Sequence, residues 1–138
     1  QRTPGVKFED GRALGGYHNL SHHGKDEVKL GELEEIEIAQ IELLGELLRD
    51  LQEVEETDGS LLDNTMVLYG CHMGDANIHN NTNLPVILAG GGFRHGQHLA
   101  FNEHNNTPLC DVFVSMLQKM GIEADRFGSS KGTLTGLT

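Results

Sequence analysis

The chain has 138 residues, a length that fits one domain with a core large enough to fold. Its formal net charge of −11 and its pI near 5.0 argue against a nucleic-acid interface, which should be basic. No apolar stretch approaches the ~20 residues of a membrane span. Cys71 and Cys110 form neither a CxxC pair nor a small secreted disulfide framework, and the sequence leaves open whether they are bridged.

Residues 1–29 are rich in glycine, histidine and charge, which predicts a loop segment with at most one short helix. His18, His22 and His23 lie here, and His18 and His22 are spaced so that one helical turn would place both rings on the same face. Imidazole is the commonest side-chain metal ligand, so the cluster predicts a metal site. The alternative is a polar surface loop or a hydrogen-bonded histidine cluster.

A long amphipathic helix is predicted from about Leu30 to Val54. Leucine and isoleucine recur at three- and four-residue steps, with glutamates on the opposite side, over roughly seven turns. Thr57–Ser60 ends it as a turn. Eleven of the 21 acidic residues lie between Glu32 and Asp58, which indicates a charged helix face rather than an acidic recognition surface.

Two short apolar runs, 65–69 and 84–89, predict β-strands. Because the runs are continuous rather than alternating, they predict strands covered on both faces. The expected fold class is therefore α/β: three layers, with a mostly parallel sheet flanked by helices. The polar segment 71–83 would follow the C-terminal end of the first strand, where open α/β sheets bind ligands.

Asp75 and His79 lie in this segment, again four residues apart. Together with the histidines of the first cluster they would form a mixed nitrogen and oxygen shell for a divalent metal, zinc first, with manganese or iron as alternatives. The predicted ligands are His18, His22, His23, Asp75 and His79. Alternatively, Asp75 and Asn77 make Asx turns and His79 bonds to the backbone. A weaker alternative is a metal-storage or redox module using Cys71 and Met73 as soft ligands beside His72.

A glycine run at 90–92 follows the second strand, and Arg94 lies just beyond it. Backbone N–H groups of such a run can approach an anion, so Gly91, Gly92 and Arg94 are candidate anion-binding residues. The segment matches neither of the common nucleotide-binding glycine motifs. A plain strand-to-loop turn is the alternative.

The last predicted helix has Thr107 at its N-cap, Pro108 at its first position and Gly121 at its stop. The Gly-, Ser- and Thr-rich residues 127–138 are predicted to be a flexible tail. We expect residues 1–138 to form a single α/β domain or a piece of a larger one.

The segment His18–His23 matches the HXXSHH signature of a family of bacterial proteins of unknown function, which the chain resembles. The similarity continues through Leu61–Thr65, Met73–Asp75, His79–Asn80, Leu84–Gly92 and Phe127–Gly132. That family looks like a distant branch of the alkaline phosphatase and sulfatase superfamily, whose members cleave phosphate or sulfate esters at metal-dependent α/β sites.

The resemblance implies an alkaline-phosphatase-like fold and places His18, His22 and His79 near one metal centre. It covers only the C-terminal part of such proteins, which are usually exported, so a periplasmic or cell-envelope location is expected. A second chain or an N-terminal half would complete the sheet, and an anionic ester would be the substrate. Cys71 departs from the pattern, because an aspartate is expected in its place.

Two functions follow from these features. The first is a metal-binding hydrolase-like domain acting on phosphate or sulfate esters. The alternative is a non-catalytic structural or interaction subunit, in which the histidine cluster provides metal-bound or hydrogen-bonded stability. An incomplete sheet would favour this alternative, since its strand edges need a partner.

Overall fold

A computed structural model describes residues 15–102 and 104–137. Residues 1–14 of the predicted loop segment lie outside the described residues, as do Glu103 and Thr138. The chain divides into two compact units, one comprising Gln1–Leu47 with Met73–Asn81 and the other Leu48–His72 with Thr82–Thr138. The elements in order are α1 Tyr17–Ser21, α2 Glu27–Glu53, β1 Glu55–Glu56, β2 Gly59–Ser60, β3 Met66–Gly70, β4 Val86–Gly90 and α3 Cys110–Lys119.

The first unit is built on the short helix α1 and the start of α2. Leu20 is buried, and the side chain of Glu32 on α2 accepts the backbone N–H of Gly15 at 3.0 Å. Asp26 caps α2, because its Oδ1 accepts the N–H groups of Val28 and Lys29 at 2.9 and 3.0 Å. This cap explains why α2 begins at Glu27, three residues before the predicted start.

The long amphipathic helix is confirmed, and it spans 27 residues. None of these residues is fully buried, and several of its large apolar side chains are exposed, including Val28, Ile38 and Leu43. Within the described residues, no helix is long and apolar enough to cross a membrane.

In the second unit, β1 and β2 form a tight antiparallel hairpin, and β3 pairs antiparallel with β4. The β3–β4 register sets Leu68 opposite Leu88. Both strands lie within two residues of their predicted positions. β4 begins just after Pro85, which has no N–H to donate to the ladder.

The pairing of β3 with β4 shows that the predicted fold class is wrong. A three-layer, alkaline-phosphatase-like fold needs a mostly parallel sheet, whereas the described residues form two separate two-stranded antiparallel sheets. A parallel pair requires a crossover of a dozen or more residues, usually a helix. Residues 71–85 contain no helix, so the chain turns back and β4 runs antiparallel to β3.

The core of the second unit lies around α3. Val112 and Val114 are buried on this helix, with Phe93 and Leu137 also buried in the same unit. The predicted start of this helix is wrong, because α3 begins at Cys110 with Leu109, not Thr107, as its N-cap residue. Its end is as predicted: Gly121 has φ +76°, its N–H donates to the Gln118 carbonyl, and the Ile122 N–H donates to the Leu117 carbonyl.

The C-terminal segment is tied to α3 by hydrogen bonds. The buried Asp111 accepts the Lys131 N–H through Oδ1 at 2.7 Å, and the Ser115 hydroxyl accepts the Leu134 N–H at 2.8 Å. Ser130 is buried as well, and its hydroxyl accepts the N–H of Phe127. These bonds satisfy the buried side-chain oxygens of α3 with backbone groups of the segment.

Candidate histidine cluster

Helix α1 brings His18 and His22 together. The His22 N–H donates to the His18 carbonyl at 3.3 Å, which closes one helical turn between them. The two imidazole rings therefore lie on the same side of the turn, with centroids 4.7 Å apart and planes at 77°.

The loop Met73–Asn81 supplies the third ring. Asp75 and Asn80 face each other in an isolated antiparallel bridge, with the Asn80 N–H 2.9 Å from the Asp75 carbonyl. Inside this closed turn His79 adopts a left-handed backbone conformation, with φ at +54°. Its imidazole lies against His22, with centroids 4.8 Å apart and planes at 86°. His22 is thus the central ring of the three.

The centroid distances from His22 to His18 and to His79 are compatible with imidazoles that share a metal. Two imidazoles bound to one tetrahedral zinc, with Zn–N bonds of about 2.0–2.1 Å, have centroids about 5 Å apart. As they stand, the described residues contain no group of three His, Cys, Asp or Glu side chains that could hold a metal ion. Coordination would require rotation of the side chains, for which the exposed rings of His18 and His79 have space.

Two of the predicted ligands are engaged elsewhere. His23 uses its Nδ1 to accept the Lys25 N–H at 3.0 Å. Asp75 uses Oδ1 to accept the Asn77 N–H at 2.9 Å, which is the Asx turn that was the alternative for this residue. The structure therefore places three of the five predicted ligands in contact and directs the other two into local backbone bonds.

Asn77 and Gly24 are functional candidates that the sequence analysis missed. The Asn77 Oδ1 accepts the Gly24 N–H at 2.8 Å, and the two residues are 53 positions apart. Asn77 had been interpreted only as a local turn residue. A contact over this sequence distance has no local signal.

The predicted anion-binding residues lie in the second unit. Gly90, Gly91 and Gly92 have φ values of +71°, +62° and +67°, so the run is a left-handed turn that favours glycine. The Gly91 N–H donates to the Leu62 carbonyl at 3.0 Å and is not directed at a ligand. The run thus has the backbone bonding expected of the strand-to-loop alternative, and anion binding by Gly91, Gly92 and Arg94 stays a prediction.

Lys119 is a cation near this turn that the sequence did not point to. Its Nζ lies 5.6 Å from the centroid of the Phe93 ring, and a Cβ added at Gly92 would lie 3.4 Å from it. The lysine is the last residue of α3, a position that usually complements the helix dipole.

Cys71 and Cys110 are both free thiols, and Cys71 is exposed. The two cysteines are therefore not joined by a disulfide bond in this structure. Binding of a soft metal by Cys71, His72 and Met73 stays a prediction.

Comparison with known proteins gives no relative. No protein-family model, no curated protein and no solved structure matches this chain.

Proposed function

We propose that this protein binds a divalent metal through His18, His22 and His79, and that the bound metal serves the hydrolysis of phosphate or sulfate esters. The observation that carries the proposal is the contact of three imidazoles around His22, two from α1 and its C-cap and one from a distant loop. Imidazoles from two separate segments meet at one place, as the ligands of a metal site must.

The donor set favours zinc. Three neutral imidazoles are borderline ligands that suit zinc, copper, iron or nickel, whereas magnesium and calcium prefer carboxylate oxygens. The three side chains linked by the ring contacts of the cluster are all histidines, which supply nitrogen donors. Three protein ligands would also leave a fourth position open, as in catalytic rather than structural zinc sites.

Ester hydrolysis is the reaction that the HXXSHH resemblance suggests. When bound, a zinc ion supplies Lewis acidity and lowers the pKa of a coordinated water. The chain's own residues would hold and orient the metal, and an anionic ester would need a cationic group.

Metal analysis of native, tag-free protein tests the proposal directly. We expect one zinc per chain by elemental mass spectrometry, and loss of zinc in His22→Ala and His79→Ala. His98→Ala is the matched control, because His98 lies in the other unit. Unchanged zinc content in both cluster variants, or a wild-type protein that stays metal-free in excess zinc, would contradict the proposal.

Hydrolysis is tested next with p-nitrophenyl phosphate and p-nitrophenyl sulfate. We expect turnover that requires zinc and disappears in His79→Ala. Zinc binding without any turnover of a panel of such esters would leave the metal site standing and refute the assigned reaction.

A second candidate function is the non-catalytic one, a subunit that works by association. The observation that favours it is α2, none of whose 27 residues is fully buried although its stripe of leucine and isoleucine is long. Sedimentation of the purified chain distinguishes the two: a stable monomer that hydrolyses esters would exclude this alternative. A multimer that binds zinc without turnover would support it.

A further inference from the structure

The histidine cluster is held by a hydrogen-bonded link between its two segments. Gly24 lies two residues after His22, and Asn77 lies two residues before His79. The Gly24 N–H donates to the Asn77 Oδ1 at 2.8 Å. The bond therefore joins the Gly24 backbone to the Asn77 side chain, close in sequence to the His22 and His79 rings, whose centroids are 4.8 Å apart.

Asp75 holds Asn77, the residue whose side chain bonds to Gly24. Its Oδ1 accepts the Asn77 N–H at 2.9 Å, and its backbone pairs with Asn80 on the other side of His79. The Gly74 N–H also reaches the Asn80 carbonyl, at 2.8 Å. The turn that carries His79 is thus closed at its base, and Asn77 projects from it toward Gly24.

We infer that Asp75 and Asn77 are positioning residues that set the affinity of the proposed metal site without contacting the metal. The inference rests on the proposed function. It makes Asp75 a residue that positions the metal ligands, whereas the sequence predicted it to be a ligand itself. Groups that hydrogen-bond directly to a metal ligand typically change metal affinity about 10- to 100-fold when removed. Asp75 and Asn77 act one step further out, because they bond to backbone N–H groups of the two segments that carry the histidines, so an effect at the lower end of that range is expected.

The solvent exposure of the Gly24–Asn77 bond makes it possible to distinguish positioning of the metal ligands from a contribution to folding stability. The Gly24–Asn77 bond is solvent-exposed, and an exposed neutral hydrogen bond adds little net stability because water replaces it. Loss of the bond should therefore change zinc affinity much more than it changes the unfolding midpoint.

Substitutions that keep or remove the acceptor oxygens test the inference. Asn77→Ala removes the acceptor for Gly24, whereas Asn77→Asp keeps an oxygen at the same position. Asp75→Asn keeps the acceptor for the Asn77 N–H but replaces the carboxylate by a poor zinc ligand. Zinc dissociation constants are measured by calorimetric titration of the full chain, with His79→Ala as the variant that lacks a ligand.

We expect Asn77→Ala to bind zinc about 10-fold more weakly than the wild type, the lower end of the range for residues outside the coordination shell. Asn77→Asp and Asp75→Asn should stay within a few-fold of it. The Gly24 amide should exchange with solvent faster in Asn77→Ala than in the wild type, measured without metal. Asp75→Ala, which removes the acceptor for the Asn77 N–H, should weaken zinc binding as Asn77→Ala does, and it provides the test if Asn77→Ala does not fold.

Two results would overturn the inference while leaving the metal site intact. One is equal zinc affinity in Asn77→Ala and wild type while His79→Ala loses binding. The other is a loss in Asp75→Asn as large as that in His79→Ala, which would make Asp75 a ligand. A wild-type protein that binds no zinc would instead overturn the proposed function, and this inference with it.

Discussion

His79 holds its imidazole 4.8 Å from that of His22 while its own backbone stands at φ +54°. The left-handed conformation is unfavourable for residues with a Cβ, and glycine adopts it most readily. The loop thus carries a histidine at a position where a glycine would be more stable.

His79→Gly and His79→Ala should consequently differ in stability but not in zinc binding. Both remove the imidazole, so both should lose zinc. His79→Gly should unfold at higher urea than His79→Ala, with a difference of about 1 kcal/mol, because alanine keeps the left-handed strain. Equal stability of the two variants in urea titrations would show that the backbone of this loop relaxes when the ring is removed.

Zinc should stabilise the wild type through mass action. At free zinc one hundred times the dissociation constant, a site present only in the folded state adds about 2.7 kcal/mol to the free energy of unfolding. The Tm of the wild type should rise with zinc, and that of His22→Ala should not, because His22 contacts both other rings. His98→Ala should behave like the wild type in the same calorimetric scans. A zinc-dependent rise in His22→Ala would place the metal elsewhere.

Much of the secondary structure was predictable because its signals are local. The stripe of α2 and the glycine that ends α3 are both readable within one segment of sequence. The predicted direction of β4 relative to β3 is wrong. A continuous apolar run indicates that both faces of a strand are buried, and it carries no information about the direction of the neighbouring strand. The better signal was the segment between the strands, whose polar, turn-forming composition leaves no helix for a parallel crossover.

In the candidate site, too, contacts between residues close in sequence were predictable and contacts between distant residues were not. The spacing of His18 and His22 on one turn follows from helix geometry, so their contact was predictable. The Gly24–Asn77 hydrogen bond joins residues 53 positions apart, and no local sequence pattern predicts such a contact. The sequence could not separate the two roles of Asp75 without knowledge of this hydrogen bond. A carboxylate close to histidines in the sequence suggests a metal ligand, whatever it contacts in the fold.

Asp63 should make stability depend on pH in the acid range. The Ser60 N–H and hydroxyl both donate to its Oδ2 at 2.8 Å, and these bonds lower the pKa of Asp63 from its usual 3.8. Since the folded pKa is the lower one, the contribution is complete above about pH 4 and is lost as the pH falls through the folded value.

Asp63→Asn cannot ionise, so its urea midpoint should fall below that of the wild type at pH 7, and the gap should narrow below pH 4. Asp58→Asn is the matched control, as an acidic residue in the preceding turn. A gap that stays constant down to pH 2.5 would show that the charge of Asp63 does not stabilise the turn.

Gly90 should be the glycine least tolerant of substitution. At φ +71°, a Cβ there would collide with the carbonyl oxygens of Thr65 and Leu62, which belong to the backbone and have no rotamer to escape into. We expect Gly90→Ala to lose more than about 2 kcal/mol of unfolding free energy. Gly45→Ala is the opposite control, because a Cβ on this α2 glycine meets nothing within 4 Å. It should gain about 1 kcal/mol from helix propensity. Similar urea midpoints for the two variants would mean that the β3–β4 end does not need the left-handed turn at Gly90.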